Sequence, residues 1–177
     1  TVNTGTAQKV AFDGNFTVAN LIVDSGVTSL SITSDDGNTT ANEAGGVFTA
    51  LTGSSLATIT VLGNDKVNLG TLGATMTTVN ASASKGAITV TASGTATSII
   101  GSQAVDTITG GGAADTIQGG KGADVLSGGA GADIYVFEAT GADNGIDDIV
   151  AVAGAAGAVG AVVSSSVFSF SGAFTPS

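Results

Sequence analysis

Short apolar segments alternate with polar residues through most of the chain, and glycine or asparagine interrupts them at short intervals. Between positions 56 and 100, five such runs read ATITVL, KVNLGTL, MTTVNA, AITVTA and TSII. Upstream, KVAFDG, FTVANLIV and SLSIT have the same character, and the polar stretch from Ser34 to Glu43 is interpreted as an exposed loop. Alternation with a period of two, broken by turn residues, is typical of β-strands. The pattern predicts an all-β protein built from many short strands.

A fixed period of nine residues begins at Gly101 and gives the units GSQAVDTIT, GGGAADTIQ, GGKGADVLS and GGAGADIYV. Aspartate occupies the sixth position of every unit and a large apolar residue the eighth. These residues are Asp106, Asp115, Asp124 and Asp133, and Ile108, Ile117, Leu126 and Tyr135. Units this small cannot bury an apolar face alone and must stack on their neighbours. The repeats therefore predict a parallel β-solenoid in which a six-residue glycine turn precedes each three-residue strand.

Two units make one coil, so that turns on the same edge lie 18 residues apart and Asp106 stacks on Asp124 while Asp115 stacks on Asp133. We predict four segments: 1–55 as an N-terminal β segment, 56–100 as solenoid rungs without the aspartates, 101–137 as the repeat roll, and 138–177 as a cap or the start of a next segment. A separate β-sandwich is the alternative for the rungs upstream of the repeats.

Composition favours thin stacked coils, because 28 of the 177 residues are Gly and the chain has one Tyr and no Trp. The aromatic residues Phe12, Phe16, Phe48 and Phe137 are expected to contribute to packing. Fourteen acidic residues face four lysines, for a net charge of −10, which argues against nucleic acid as a partner. The absence of His and Cys removes His-based zinc sites and His-assisted nucleophilic catalysis. We expect a chain that is not an enzyme and that binds cations.

The N-terminus carries no signal-peptide pattern and begins with Thr1, which we interpret as a piece of a longer protein. No apolar run reaches about 18 residues, so no transmembrane span is expected.

The aspartate turns have the chemistry of a calcium site. Ca²⁺ prefers about six to eight oxygens from carboxylates and backbone carbonyls. Glycine turns direct carbonyls toward one point, and stacking brings a second carboxylate about 4.8 Å along the axis. Without a cation, two carboxylates at that distance repel by roughly 1 kcal/mol in water and about 3.5 kcal/mol at an effective dielectric constant of 20. We therefore expect the roll to need Ca²⁺ in order to fold.

The units match the nonapeptide G-G-x-G-x-D-x-U-x, where U is a large apolar residue. The region from Gly101 to Phe137 resembles the RTX parallel β-roll of proteins exported by type I secretion. The resemblance implies an ion between turns two units apart, bound by the aspartates and by turn carbonyls. One ion would lie among Gly101, Gln103, Asp106, Gly120, Gly122 and Asp124. A second would lie among Gly110, Gly112, Asp115, Gly129, Gly131 and Asp133.

Three residues depart from the motif, and the two in the first unit weaken the first of these sites. Ser102 and Ala104 replace glycines in the first unit, and Ala113 replaces one in the second. Thr97 occupies the sixth position of the preceding nine residues, so calcium binding should end at the first unit.

Acidic residues also occur outside the four units. Asp143, Asp147 and Asp148 are predicted to close the last open turns, with a solvated acidic loop as the alternative. The segments Asn64-Asp65 and 35–38 are interpreted as plain turns, since Asx residues and glycine favour turns on their own. The alternative for both segments is a set of further calcium ligands.

Residues 55–92 resemble the rungs that precede RTX repeats in surface-layer (S-layer) proteins of Gram-negative bacteria and in large RTX adhesins. The resemblance implies a secreted, calcium-dependent structural module of the bacterial cell surface that forms an S-layer lattice. Its partners would be other copies of the same protein and cell-surface polysaccharide. A stalk of an RTX adhesin, or the C-terminal tail of a type I secreted exoenzyme, is the alternative.

Overall fold

A computed structural model of the protein describes residues 6–13, 15–37, 40–41, 43, 45–137, 148–149 and 160–163. Every regular element among these residues is a β-strand, so none of them forms a helix able to cross a membrane. The strands are β1 (Ala7–Phe12), β2 (Phe16–Val23), β3 (Ser29–Ser34), β4 (Gly46–Gly53), β5 (Thr58–Gly63), β6 (Val67–Leu72), β7 (Thr78–Asn80), β8 (Ile88–Thr91), β9 (Ser98–Ile100), β10 (Thr107–Gly111), β11 (Thr116–Gln118), β12 (Val125–Gly129), β13 (Ile134–Phe137), β14 (Asp148–Ile149) and β15 (Gly160–Val163).

The strands form two parallel sheets that run side by side along the molecule. Odd-numbered strands make an eight-stranded sheet and even-numbered strands a seven-stranded sheet, each ordered by position in the chain. We call them the odd sheet and the even sheet. Each coil gives one strand to each sheet, which is the predicted parallel β-solenoid with aspartate turns preceded by further rungs. The sandwich alternative for residues 56–100 is excluded, because β8 pairs in parallel with β10 and β9 with β11.

Coil length changes where the repeats begin. Thr107 pairs with Val125 and Thr116 with Ile134, 18 positions on in each case. Upstream coils are longer: Thr58 pairs with Thr78, 20 positions on, and Ser29 with Thr58, 29 positions on. The additional residues of the longest coil lie in the connection between β3 and β4. The nine-residue rhythm is thus a property of the aspartate units, and the earlier rungs follow a looser spacing.

Apolar side chains stack in rows inside the solenoid. One row on the odd sheet contains Ile59, Val79, Ile99, Ile117 and Tyr135, which lie opposite one another in register and are all buried. Large apolar residues at the eighth repeat position therefore point inward, as predicted. Because each row continues across the start of the repeats, the repeat coils and the earlier rungs share one core.

Three aromatic rings close the N-terminal end of the core. The centroids of Phe12 and Phe16 are 3.6 Å apart in a stacked arrangement, and Phe48 contacts both rings edge-on at 5.7 and 5.5 Å. Phe137 packs against the core near the last repeat. The prediction that these residues pack together with the core is confirmed.

Two parts of the N-terminal region differ from the sequence interpretation. The strand β4 was not anticipated, because Phe48 and Leu51 are both buried although three positions separate them, which breaks the two-residue alternation. The interpretation of residues 34–43 as an exposed loop is wrong at its start, where Ser34 ends β3 and is fully buried. Asp36 is half-buried.

Downstream of the repeats, β14 pairs with β12 and β15 with β13, so both sheets continue there. The division of the chain into four segments stays a prediction.

Candidate metal centre

The four repeat aspartates lie at the start of strands, in the turns that join the two sheets. Turns from the odd to the even sheet form one edge, which we call the first edge, and it carries Asp106 and Asp124. Turns from the even to the odd sheet form the second edge, which carries Asp115 and Asp133. All four residues are buried, although isolated carboxylates are rarely buried without partners. The predicted pairing of aspartates along the two edges is therefore the arrangement in the structure.

Each aspartate is hydrogen-bonded to the coil before it. Its Oδ1 accepts a hydrogen bond from the main-chain N–H of the residue 18 positions earlier. The donors and distances are Ile88 to Asp106 at 2.6 Å, Thr97 to Asp115 at 2.7 Å, Asp106 to Asp124 at 2.8 Å, and Asp115 to Asp133 at 3.0 Å. The first two donors belong to coils without the motif, and the sequence analysis missed them. Counting back 18 positions from each aspartate would have found them.

In the second unit, one carboxylate oxygen lacks a protein partner. Oδ2 of Asp115 is buried and accepts no hydrogen bond. Burial raises the pKa of Asp115, Asp133 raises it further, and the hydrogen bond from Thr97 opposes both effects. A buried carboxylate oxygen without a partner is costly, and a cation would offset that cost.

The first unit satisfies its aspartate differently. Ser102, which stands where the motif has glycine, donates its main-chain N–H to Oδ2 of Asp106 at 2.5 Å and its hydroxyl to Oδ1 at 2.7 Å. Both oxygens of Asp106 therefore have hydrogen-bond donors from the protein itself. Asp106 therefore has less need of a cation than Asp115 has.

Six of the predicted carbonyl ligands lie in the stacked turns beside the aspartates, and Gly110 and Gly129 lie in the last residues of β10 and β12, next to those turns. Those of the first edge are Gly101, Gln103, Gly120 and Gly122, and those of the second edge are Gly110, Gly112, Gly129 and Gly131. Hydrogen bonds from Lys121 to Ser102 at 3.0 Å and from Ala130 to Gly111 at 2.7 Å hold the paired turns together. Each predicted ligand set thus belongs to two stacked coils on one edge of the solenoid. Calcium coordination by these residues stays a prediction.

Backbone and carboxylate oxygens converge on Gly110. A Cβ placed on this residue would lie 2.5 Å from the carbonyl oxygen of Gly128 and 2.6 Å from Oδ2 of Asp115. Gly128 was not among the predicted ligands, and its carbonyl is a further oxygen at the second edge. Gly131 lies beside Ala113 of the turn that follows β10, and it has a φ of +120°, a conformation that residues with a Cβ rarely adopt.

We expect Gly110→Ala to destabilise the protein by about 1–3 kcal/mol, because the new methyl group has no space between the two oxygens. The change should be measured by thermal melting in millimolar Ca²⁺. Gly94→Ala is the matched control, since a Cβ there meets nothing within 4 Å, and it should change stability by less than about 0.5 kcal/mol. Equal melting temperatures for the two variants would contradict the close packing around Gly110.

The predicted ligands after the fourth unit are only partly described. Asp143 and Asp147 lie outside the described residues. The backbone of Asp148 lies in β14 and pairs with Val125, the residue that follows Asp124. A role for these three residues in closing the last turns stays a prediction.

Fold and turns together define a parallel β-solenoid whose glycine turns stack buried aspartates at 18-residue intervals. A family model described as the RTX calcium-binding nonapeptide repeat (4 copies) matches residues 100–135. The match covers the four repeat units, which are calcium-binding repeats of the RTX kind, and RTX repeat proteins are typically secreted. Comparisons with curated proteins and with solved structures found no match.

Proposed function

We propose that this chain is a calcium-dependent structural module of a bacterial surface protein and that copies of it pack into an S-layer lattice. The observation that carries the proposal is the distribution of charge. Among the described residues, Lys9 and Asp148 are the only charged residues that lie within strands, and all the others lie in turns. The two sheet faces are thus long and nearly uncharged, while the edges are acidic.

This distribution suits lateral packing of identical rods. Outward positions on both sheets carry uncharged residues, among them the polar Thr58, Thr89 and Ser98 and the apolar Ile22, Val125 and Ile134. A second copy can therefore approach a face closely without burying an ionised group. With a net charge of −10, copies repel one another through their edges unless cations neutralise the carboxylates. Calcium would therefore fold the repeats and also permit contact between copies. Cell-surface polysaccharide is the proposed anchor for such a lattice.

Secretion and calcium dependence fit together in this proposal. Extracellular calcium modules bind with dissociation constants on the order of 10⁻⁴ to 10⁻³ M, so they fill in the external medium and remain unloaded where free Ca²⁺ is low. The roll would then fold after export. We further propose that the chain has no catalytic activity of its own, which its lack of His and Cys supports.

Assembly should be tested by light scattering and electron microscopy during a Ca²⁺ titration. We expect the parent chain to form ordered assemblies in millimolar Ca²⁺ and to stay dispersed in chelator or in Mg²⁺. Thr89→Glu, which places a charge in the middle of the even sheet's outer face, should reduce assembly at least tenfold while the chain still folds. Ser25→Glu is the matched control, because it adds the same charge at an exposed turn and should assemble like the parent.

A chain that folds in Ca²⁺ yet stays monomeric at every concentration would contradict the lattice. That result would leave the calcium module in place and favour the stalk of an adhesin or the tail of an exoenzyme.

A further inference from the structure

Three carboxylates meet outside the aspartate repeats. They belong to Asp36, Glu43 and Asp65, and one oxygen from each lies within 4.8 Å of the others. Asp36 and Glu43 come from the connection between β3 and β4, whereas Asp65 comes from the turn between β5 and β6. The cluster therefore joins two successive coils. It lies on the first edge, which further along carries Asp106 and Asp124.

An acidic cluster at a surface is common without any ligand, but this one has a buried member. Asp65 is only 1% exposed. Its Oδ2 accepts a hydrogen bond from the main-chain N–H of Asp36 at 3.0 Å, while its Oδ1 is buried and accepts none. The protein thus holds a carboxylate oxygen away from water beside two further carboxylates, and no described group donates a hydrogen bond to it.

A second buried oxygen lies at the same place. The hydroxyl of Ser34 is fully buried and has no hydrogen-bond partner. A Cβ placed on Gly45 would lie 2.6 Å from this hydroxyl oxygen and 3.0 Å from the Cβ of Asp65, so both side chains flank one glycine. Two neighbouring buried oxygens without hydrogen bonds are unusual in a folded protein, and a bound cation would give both of them a partner.

Electrostatics around Asp65 agree with that geometry. Burial raises the pKa of its carboxyl group, the negative charges of Asp36, Asp35 and Glu43 raise it further, and the hydrogen bond from the Asp36 N–H opposes them. A positive charge among these groups would offset both the burial of the Asp65 carboxylate and its repulsion by the neighbouring carboxylates.

We propose that Asp36, Glu43 and Asp65, with the Ser34 hydroxyl, form a calcium site outside the RTX repeats. All the ligands are oxygens, and the chain has no His or Cys that zinc would prefer. Three carboxylates can supply up to about six oxygens, which suits Ca²⁺ better than the compact octahedron of Mg²⁺. The ion ties the connection between β3 and β4, where the longest coil has its additional residues, to the next coil. Calcium thereby stabilises the N-terminal rungs as well as the roll.

The number of bound ions tests this site. Calcium per folded chain should be counted by native mass spectrometry after equilibration in millimolar Ca²⁺. Asp65→Asn should bind one ion fewer than the parent, and so should Glu43→Gln, which leaves the buried residue in place. Asp24→Asn removes the same charge from an exposed turn of the second edge and should keep the parental count.

The same counts separate this site from the repeats. Asp133→Asn should lower the number of bound ions by removing calcium from the repeat turns. The double variant Asp65→Asn/Asp133→Asn should therefore show the sum of the two losses. Asp65→Asn should lose its ion even if the repeat sites prove empty. If Glu43→Gln and every folded preparation of Asp65→Asn keep the parental count, the site does not exist.

Discussion

Removal of calcium should lower the melting temperature of the chain by at least about 10 °C and weaken its β-sheet circular dichroism signal, and millimolar Ca²⁺ should restore both. Stacked carboxylates on each edge repel by about 3.5 kcal/mol per pair at an effective dielectric constant of 20. For a domain of this size, 1 kcal/mol shifts the melting temperature by about 2–4 °C. Mg²⁺ should substitute poorly because it retains its own waters. Identical melting curves in chelator and in Ca²⁺ would contradict the requirement.

Stability at low pH tests whether the charge of the aspartates causes this dependence on calcium. The pKa of Asp115 is raised above 3.8 in the folded chain, whereas the unfolded chain loses this proton near pH 3.8. Between the two pKa values the folded state binds more protons, so without calcium its stability falls as the pH rises through this window. In chelator, the chain should therefore melt at a higher temperature near pH 4 than at pH 7. In saturating Ca²⁺ this order should reverse, because the ion holds the carboxylate ionised. Asp115→Asn should weaken the dependence in chelator.

The repeats made most of the fold predictable. A strict period of nine fixes which residues stack, so the pairing of Asp106 with Asp124 and the inward position of Ile117 follow from the sequence without further information. Upstream, alternation alone was enough to locate strands such as β2 and β5 but not their pairing distance. Coil length there depends on the turns, and these vary from one coil to the next. β4 was missed because an irregular strand does not keep the two-residue alternation.

The candidate sites were less predictable than the strands. The motif was enough to locate the repeat aspartates. The presence of Ser102 in place of glycine did not predict that the hydroxyl and the N–H of Ser102 both donate hydrogen bonds to Asp106. The cluster of Asp36, Glu43 and Asp65 has no motif at all. Its members are separated by up to 29 positions and meet only because one long coil folds back onto the next. Asp65 was interpreted as a turn residue, and a local sequence pattern does not reveal that it is buried.

Asp133→Asn should raise the Ca²⁺ concentration at the folding midpoint by about tenfold, and Asp106→Asn by less than about threefold. Both variants keep an oxygen that can accept the N–H of the preceding coil and both remove one charge, so they are a matched pair. They differ in their surroundings. Asp133 belongs to a unit that matches the motif fully and stacks on Asp115, whose Oδ2 has no hydrogen-bond donor and would gain a partner from a cation. Asp106 already receives two hydrogen bonds from Ser102.

The comparison is best made by circular dichroism during a Ca²⁺ titration of the parent and both variants. Each variant must also be melted in chelator, because Asp106→Asn disturbs the Ser102 hydrogen bonds and loses stability that has no connection with calcium. Only the calcium-dependent part of the shift bears on the two sites. If that part is as large for Asp106→Asn as for Asp133→Asn, the second edge does not hold the tighter ion. If neither variant moves the midpoint, the repeat aspartates do not bind the calcium that folds the chain.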